Sequence, residues 1–140
     1  MNIDKDLLYT KEHEWVSINE EDNTATFGIS DYAQEALGDI TFIELPGMVS
    51  EVEQFEQFAS IESVKAANDI YAPMSGKIIE ANDALESKPA LINKSCYEKG
   101  WIAKIEISEM EETSNLMTAD EYRSFLESAE ASSGSDSSDE

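Results

Sequence analysis

The sequence predicts a mostly β protein: a β-sandwich or flattened antiparallel barrel with a short helix in its first half and a longer helix near its C-terminus. Three observations support this fold class. Short runs alternate apolar and polar residues, turn-forming residues separate these runs, and only two segments have helical features. The chain has 140 residues, of which 41% are hydrophobic, so we expect one domain with a packed core. We place this domain at residues 1–130 and a disordered, acidic, Ser-rich tail at residues 131–140.

The first half of the chain contains a predicted β-meander. Residues 7–9, 15–18 and 24–29 are rich in strand-forming side chains, and a polar turn lies at residues 20–23. A half-buried strand is predicted at residues 39–45, with Pro46-Gly47 ending it.

The shorter helix is predicted between these strands. Asp31 is placed to cap it, Gln34 to reach back as in a capping box, and Gly38 to supply a left-handed end. So short a helix persists only when it packs on a sheet. The side chains expected to pack are Tyr32, Ala33, Ala36 and Leu37.

The second half alternates strands with turns and ends in the longer helix. A weaker strand is expected near residues 49–55, a hairpin around Lys65, strands at 77–81 and 101–107, and mostly loop at 84–100. The longer helix opens with a capping box of Thr118 and Glu121, across which Met117 and Tyr122 form a hydrophobic staple. Its apolar stripe is predicted to dock on the sheet and consists of Tyr122, Phe125, Leu126 and Ala129.

The charge of the chain restricts its partners. The formal net charge is −22, which disfavours binding to nucleic acid and to anionic membranes and favours partners with basic patches. No run has the roughly 18 apolar residues of a membrane span, and the N-terminus has no signal-peptide or transit-peptide pattern, so we expect a cytoplasmic protein. One cysteine and one histidine offer little for disulfides, zinc sites or catalytic triads.

Lys65 is the most informative residue of the chain. No other Lys or Arg lies between Lys11 and Lys65, and two strand-like runs flank Lys65, so its amine is predicted to point into water from the tip of a hairpin. An amine at such a turn is suited to enzymatic amide formation. We therefore interpret Lys65 as the attachment point of a swinging cofactor; taken alone, the same pattern also fits an ordinary surface lysine.

Several separated blocks resemble the glycine cleavage system H protein family. The first are Tyr9-Thr10-x-x-His13-Glu14-Trp15 and the run from Gly28 to Ile40. The later blocks are Leu45-Pro46, Ile61-Glu62-Ser63-Val64-Lys65-Ala66-Ala67, Pro73-Met74-Ser75-Gly76, Leu91-Ile92-Asn93 and Gly100-Trp101. The resemblance extends from about residue 8 to residue 126. It departs from the family pattern at Cys96-Tyr97-Glu98, where Pro-Tyr-Gly is usual, and at residues 47–50.

The resemblance implies a lipoyl-type barrel-sandwich hybrid that carries lipoic acid in amide linkage to Lys65. It implies a monomeric, non-catalytic carrier whose partners are the P protein (a pyridoxal-phosphate glycine decarboxylase), the T protein (an aminomethyltransferase) and the L protein (dihydrolipoamide dehydrogenase). A lipoate ligase or lipoyltransferase would attach the cofactor. The family also shelters the loaded arm in a surface cleft, and His13 and Glu14 are our candidates for lining it.

The sequence is also compatible with other functions. An H-like lipoate relay in an organism without full glycine cleavage would have the same sequence features. A lipoyl domain of a 2-oxoacid dehydrogenase typically has Asp-Lys-Ala at the lysine, and a biotin carrier has methionines beside it, whereas Val64 and Ala66 stand here. An unmodified acidic interaction module is a further alternative from a different class.

Overall fold

The computed structural model describes residues 3–45 and 51–135, and its secondary structure is mainly antiparallel β. The strands of this part are β1 (Leu8–Tyr9), β2 (Glu14–Asn19), β3 (Thr24–Ile29), β4 (Ile40–Glu44), β5 (Glu51–Val52), β6 (Gln57–Ser63), β7 (Ala67–Tyr71), β8 (Gly76–Ala81) and β9 (Ala103–Ile107). Its helices are α1 (Asp31–Leu37), α2 (Ala84–Ser87), α3 (Leu91–Lys94) and α4 (Ala119–Ser135), with a 3-10 helix at Met110–Asn115.

The strands form two antiparallel sheets that pack face to face. The six-stranded sheet has the order β1-β2-β3-β9-β8-β5, and the three-stranded sheet has the order β4-β6-β7. Phe27 and Ile105 of the larger sheet and Ile61 and Ile70 of the smaller one are buried in a single apolar cluster. The described strands therefore make a flattened sandwich that is not closed into a barrel, which confirms the predicted mostly β fold class.

The β-meander is confirmed in position, and the structure supplies its register. β2 pairs with β3 from Glu14 opposite Ile29 to Asn19 opposite Thr24. Asn23, in the turn between them, has a φ of 60°, a left-handed conformation that asparagine tolerates better than most residues. Local turn chemistry and alternation thus sufficed to predict this part of the larger sheet.

The start of α1 differs from the sequence-based prediction. Ser30, and not Asp31, is the N-cap: its backbone is extended, and its Oγ accepts a hydrogen bond from the Ala33 amide at 3.2 Å. Asp31 is the first helical residue, and its Oδ1 accepts from Gln34 Nε2 at 2.7 Å. Gly38 ends the helix with a φ of 77°, as predicted.

The packing of α1 was only partly predicted. Of the four side chains expected to pack, Leu37 is buried, Tyr32 and Ala33 are half-buried, and Ala36 is exposed. A helix of two turns presents only a narrow stripe of side chains to the sheet, and Ala36 lies outside that stripe.

The connecting segments were the least accurately predicted parts. Residues 84–100, expected to be mostly loop, contain the single-turn helices α2 and α3. The weak strand expected near residues 49–55 is β5, and the predicted strand end at Pro46-Gly47 lies outside the described residues. Turns of four residues leave too little periodicity to be recognised in a sequence.

Helix α4 begins as predicted and docks on the larger sheet. Thr118 Oγ1 accepts from the Glu121 amide at 3.2 Å and Glu121 Oε1 accepts from the Thr118 amide at 2.8 Å, which is a capping box. Tyr122 and Leu126 are buried in a second apolar cluster with Trp15. The helix extends to Ser135, so it includes the first five residues of the predicted tail, and residues 136–140 lie outside the described part.

Within residues 3–45 and 51–135, no helix combines the length and apolar character needed to cross a membrane.

Candidate functional site

The candidate site is the tip of the β6–β7 hairpin. The ladder ends with Glu62 opposite Ala67, and the Ser63 amide donates to the Ala66 carbonyl at 2.8 Å. Ser63 Oγ accepts from the amides of both Lys65 and Ala66 at 3.1 Å, so one hydroxyl satisfies two donors of the turn. Lys65 is exposed at the apex, as the sequence predicts.

The hairpin tip is braced by the end of helix α1. The Val64 amide donates to the Asp39 carbonyl at 3.0 Å. The stem of Lys65 passes over Gly38, where an added Cβ would lie 3.4 Å from Lys65 Cε. Glycine at position 38 adopts the positive φ that ends the helix, and a Cβ there would stand in ordinary van der Waals contact with the lysine stem.

A buttress behind this contact is supplied by Asn93 of α3. Its Nδ2 donates to the Gly38 carbonyl at 2.8 Å and to Gln34 Oε1 at 2.9 Å, and its Oδ1 accepts from the Ile40 amide at 2.9 Å. Asn93 thereby fixes both sides of the α1–β4 turn on which the hairpin tip rests. In the sequence, Asn93 stands out only as part of a block that resembles the family. Its structural role could not be predicted, because its partners lie more than 50 residues away along the chain.

The ammonium group of Lys65 is accessible. Among the residues that the structure describes, the one salt bridge joins Arg123 to Asp120. Glu62 and Asp69 are also exposed on the hairpin and add negative potential to it, and neither forms a salt bridge with Lys65. A modifying enzyme would therefore meet an exposed amine in an acidic setting.

A groove runs along the hairpin beside this tip. It has a volume of about 450 Å³ and lies between the β6–β7 strands and the segment at residues 12–13. Its polar lining includes His13 together with Glu12, Glu62 and Asp69. His13 thus lies where the sequence-based hypothesis needs a cleft-lining residue. Its half-buried imidazole has a lowered pKa because burial disfavours the charged form.

Glu14 does not line this groove. It is 2% exposed, and its Oε1 accepts from Thr10 Oγ1 at 2.5 Å while its Oε2 accepts from the Tyr71 amide at 3.2 Å. It therefore links the larger sheet to the end of β7, which corrects the expectation that it faces a cleft. Burial raises the pKa of the Glu14 carboxyl to about 7. Glu14 is the first residue of β2, and a charged residue at the start of a strand is expected to face water. The sequence therefore gave no sign that the Glu14 carboxylate would be buried.

The loop that departs from the family pattern is anchored in the core. The Cys96 carbonyl accepts from Trp15 Nε1 at 2.9 Å, and Tyr97 Oη accepts from the Asp31 amide at 3.1 Å. The Cys96 thiol is buried, which raises its pKa to about 12 and makes it a poor nucleophile. Across the described ranges, no cluster of three or more His, Cys, Asp or Glu side chains has the arrangement of a metal site.

Comparisons with known proteins agree with one another. Residues 7–129 match the family model described as Glycine cleavage H-protein. The chain is 50% identical over 125 residues to a protein named Glycine cleavage system H protein from Vibrio vulnificus (strain YJ016), covering 89% of this chain and 98% of that one. It is 45% identical over 126 residues to a protein of the same name from Staphylococcus haemolyticus (strain JCSC1435), with 90% and 98% covered.

A solved structure supports the same relationship. The crystal structure of a glycine cleavage system H protein from Mycobacterium marinum superposes with a TM-score of 0.79 at 35% sequence identity, covering 89% of this chain and 99% of that chain. The resemblance seen in the sequence is thereby confirmed in both sequence and fold. The chain belongs to the glycine cleavage system H protein family, the lipoyl carriers of glycine cleavage.

Proposed function

We propose that this chain carries lipoate in amide linkage to Nζ of Lys65 and acts as the non-catalytic carrier of the glycine cleavage system. The observation that carries the proposal is the exposed amine of Lys65 on a braced hairpin tip. Acylation needs an amine that an enzyme can reach, and Lys65 meets that condition. Bound there, the lipoyl disulfide supplies the redox and group-transfer chemistry of its two sulfurs.

The residues of the chain position this attachment point. Ser63 holds the turn, and the Asp39 carbonyl supports its back by accepting a hydrogen bond from the Val64 amide. A rigid base makes the lysine side chain, together with anything attached to it, the mobile part. The reach of the arm is then set by rotations about its own bonds and not by movement of the hairpin.

The groove beside the hairpin is suited to sheltering an amine. Its carboxylates, Glu12, Glu62 and Asp69, favour a primary amine that becomes cationic on protonation. We propose this groove as the cleft for the aminomethyl cargo, with His13 in its lining.

The partners in this proposal are those of the family. The P protein loads the carrier from glycine, the T protein unloads it, and the L protein reoxidises the dithiol, after a lipoate ligase or lipoyltransferase has modified Lys65. The net charge of −22 favours basic docking surfaces on these enzymes. The monomeric state and the cytoplasmic location expected from the sequence stay predictions.

Intact-mass measurement tests the attachment. Wild-type protein incubated with a lipoate ligase, lipoate and ATP is expected to gain one lipoyl group, and Lys65→Arg none. Lys77→Arg, which changes another exposed lysine, on β8, is the matched control and should be modified like wild type. Wild type without added mass, or Lys65→Arg with it, would contradict the assignment.

A further inference from the structure

The hydroxyl group of Tyr122, on helix α4, lies between Ser30 and His13. Tyr122 Oη is 2.7 Å from Ser30 Oγ and 2.9 Å from Nδ1 of His13. Tyr122 is fully buried, and its ring stacks on Tyr9 with centroids 4.4 Å apart. The C-terminal helix therefore reaches the histidine of the groove through one hydroxyl group.

The buried Ser30 hydroxyl determines which atom donates in the hydrogen bonds that link Ser30, Tyr122 and His13. Ser30 is 0% exposed, and its Oγ already accepts from the Ala33 amide, so its own proton needs a protein acceptor. Within the described residues that acceptor is Tyr122 Oη. With its oxygen accepting from Ser30, the Tyr122 hydroxyl has its proton left for Nδ1 of His13, and this arrangement requires Nδ1 to be the unprotonated ring nitrogen.

The position of His13 is fixed on its other sides as well. Its amide donates to the Thr10 carbonyl at 3.1 Å and its carbonyl accepts from the Ser30 amide at 2.9 Å. Its φ of 73° is left-handed, a conformation in which histidine occurs more often than most residues. The ring also packs against Tyr32, with centroids 4.6 Å apart. The position of the His13 side chain is therefore restricted, and the main choice left is which ring nitrogen carries the proton.

We propose that Tyr122 is a positioning residue that holds the His13 imidazole in the tautomer protonated on Nε2, so that the ring offers a neutral N–H donor to the groove beside the Lys65 hairpin. The functional consequence of this inference rests on the proposed carrier function. A neutral imidazole leaves the carboxylates of the groove lining without a fixed cation. The carboxylates are then available to an amine cargo, because a charged His13 does not compete for them.

The ionisable groups around His13 act in opposite directions. Glu12 on its own segment, with Glu62 and Asp69 across the groove, favours the imidazolium form. Partial burial and the hydrogen bond from Tyr122 favour the neutral form, and Tyr32 on α1 contributes its aromatic ring to the contact. Removal of the Tyr122 hydroxyl should therefore shift the balance toward the charged form.

The single histidine of the chain makes the test direct, because its ring nitrogens can be read without assignment by long-range ¹H–¹⁵N NMR of the unmodified full chain. Wild type is expected to show one neutral tautomer with Nδ1 unprotonated. Tyr122→Phe, which keeps the stacked ring, should shift both ¹⁵N frequencies toward an average of two tautomers and raise the titration midpoint by about 0.5–1 pH unit.

The matched control is Tyr32→Phe, since Tyr32 touches the same imidazole but its hydroxyl makes no hydrogen bond to a described residue. It should leave the tautomer unchanged. A proton on Nδ1 in wild type would overturn the inference even if Tyr122→Phe failed to fold, as would a folded Tyr122→Phe with wild-type frequencies and midpoint. Failure of lipoylation at Lys65 would contradict the carrier function alone, because this measurement uses unmodified protein.

Discussion

The buried carboxyl group of Glu14 makes the stability of the sandwich depend on pH. Its folded pKa of about 7 lies above the ordinary value of 4.5 for an accessible glutamate, so the folded state binds the proton more tightly than the unfolded state does. The stability contributed by this group is therefore fully present below pH 4.5 and is lost as pH rises through 7. The difference amounts to at most about 3 kcal/mol.

Replacement of Glu14 by glutamine tests this effect. Glu14→Gln should remove that loss, so the free energy of unfolding of the variant relative to wild type should rise between pH 4.5 and 7.5. Urea unfolding at four or five pH values measures it, and comparison with wild type cancels the contribution of His13. Parallel pH profiles for the two proteins would contradict a raised pKa at Glu14.

At the level of single residues, the sequence was informative where chemistry is local. Lys65 at a hairpin apex, Gly38 at a helix end and the Thr118 capping box could be predicted because each depends on its neighbours in the chain. The burial of Glu14 could not be predicted in this way, because its carboxylate accepts from the amide of Tyr71 in the other sheet.

Among the elements, the hairpin depends on helices α1 and α3. Asn93 of α3 fixes the Gly38 carbonyl, and the neighbouring Asp39 carbonyl accepts the Val64 amide at the hairpin tip. The hairpin alone was predictable from its two strands, but this support was not, since α3 has a single turn and no sequence signature. The lysine is thus presented by three elements that meet only in the folded chain.

The substitution Asn93→Ala should loosen the tip more than the sheet. It leaves the Ile40 amide and the Gly38 carbonyl without their side-chain partner, at a cost of about 1–3 kcal/mol. Hydrogen exchange should accelerate at the Val64 amide, whose acceptor moves, while Ile70 stays protected as long as the variant is folded.

The matched control for this experiment is Asn68→Ala. Asn68 is exposed on β7 of the same hairpin, so its side chain can be removed without touching the α1–β4 turn. An equal acceleration at Val64 in both variants, or none in Asn93→Ala, would argue against the buttress.

For the whole molecule, charge dominates encounters with partners. A net charge of −22 on 140 residues creates a field that attracts basic surfaces, and salt screens it over about 8 Å at physiological ionic strength. The sequence predicted the two-layer β architecture and this field. It did not predict the strand order, because pairs such as β3 with β9 and β5 with β8 join distant segments.

Salt should therefore weaken recognition by the lipoylating enzyme. KM for the protein substrate is expected to rise severalfold between 50 and 300 mM salt, and the double change Glu62→Gln and Asp69→Asn should flatten that dependence. Glu20→Gln with Glu21→Gln, both exposed beyond the end of β2, is the charge-matched control. If the two pairs of substitutions flatten the salt dependence equally, the acidic surroundings of Lys65 have no special part in recognition.

Glycine–bicarbonate carbon exchange with a P protein tests the carrier function most directly. Lipoylated wild-type chain is expected to support exchange, Lys77→Arg to support it equally, and Lys65→Arg to give only the rate of P protein alone. Exchange supported by Lys65→Arg would contradict Lys65 as the carrier residue. A fully lipoylated wild-type chain that supports none would contradict the glycine cleavage function and favour a lipoate relay.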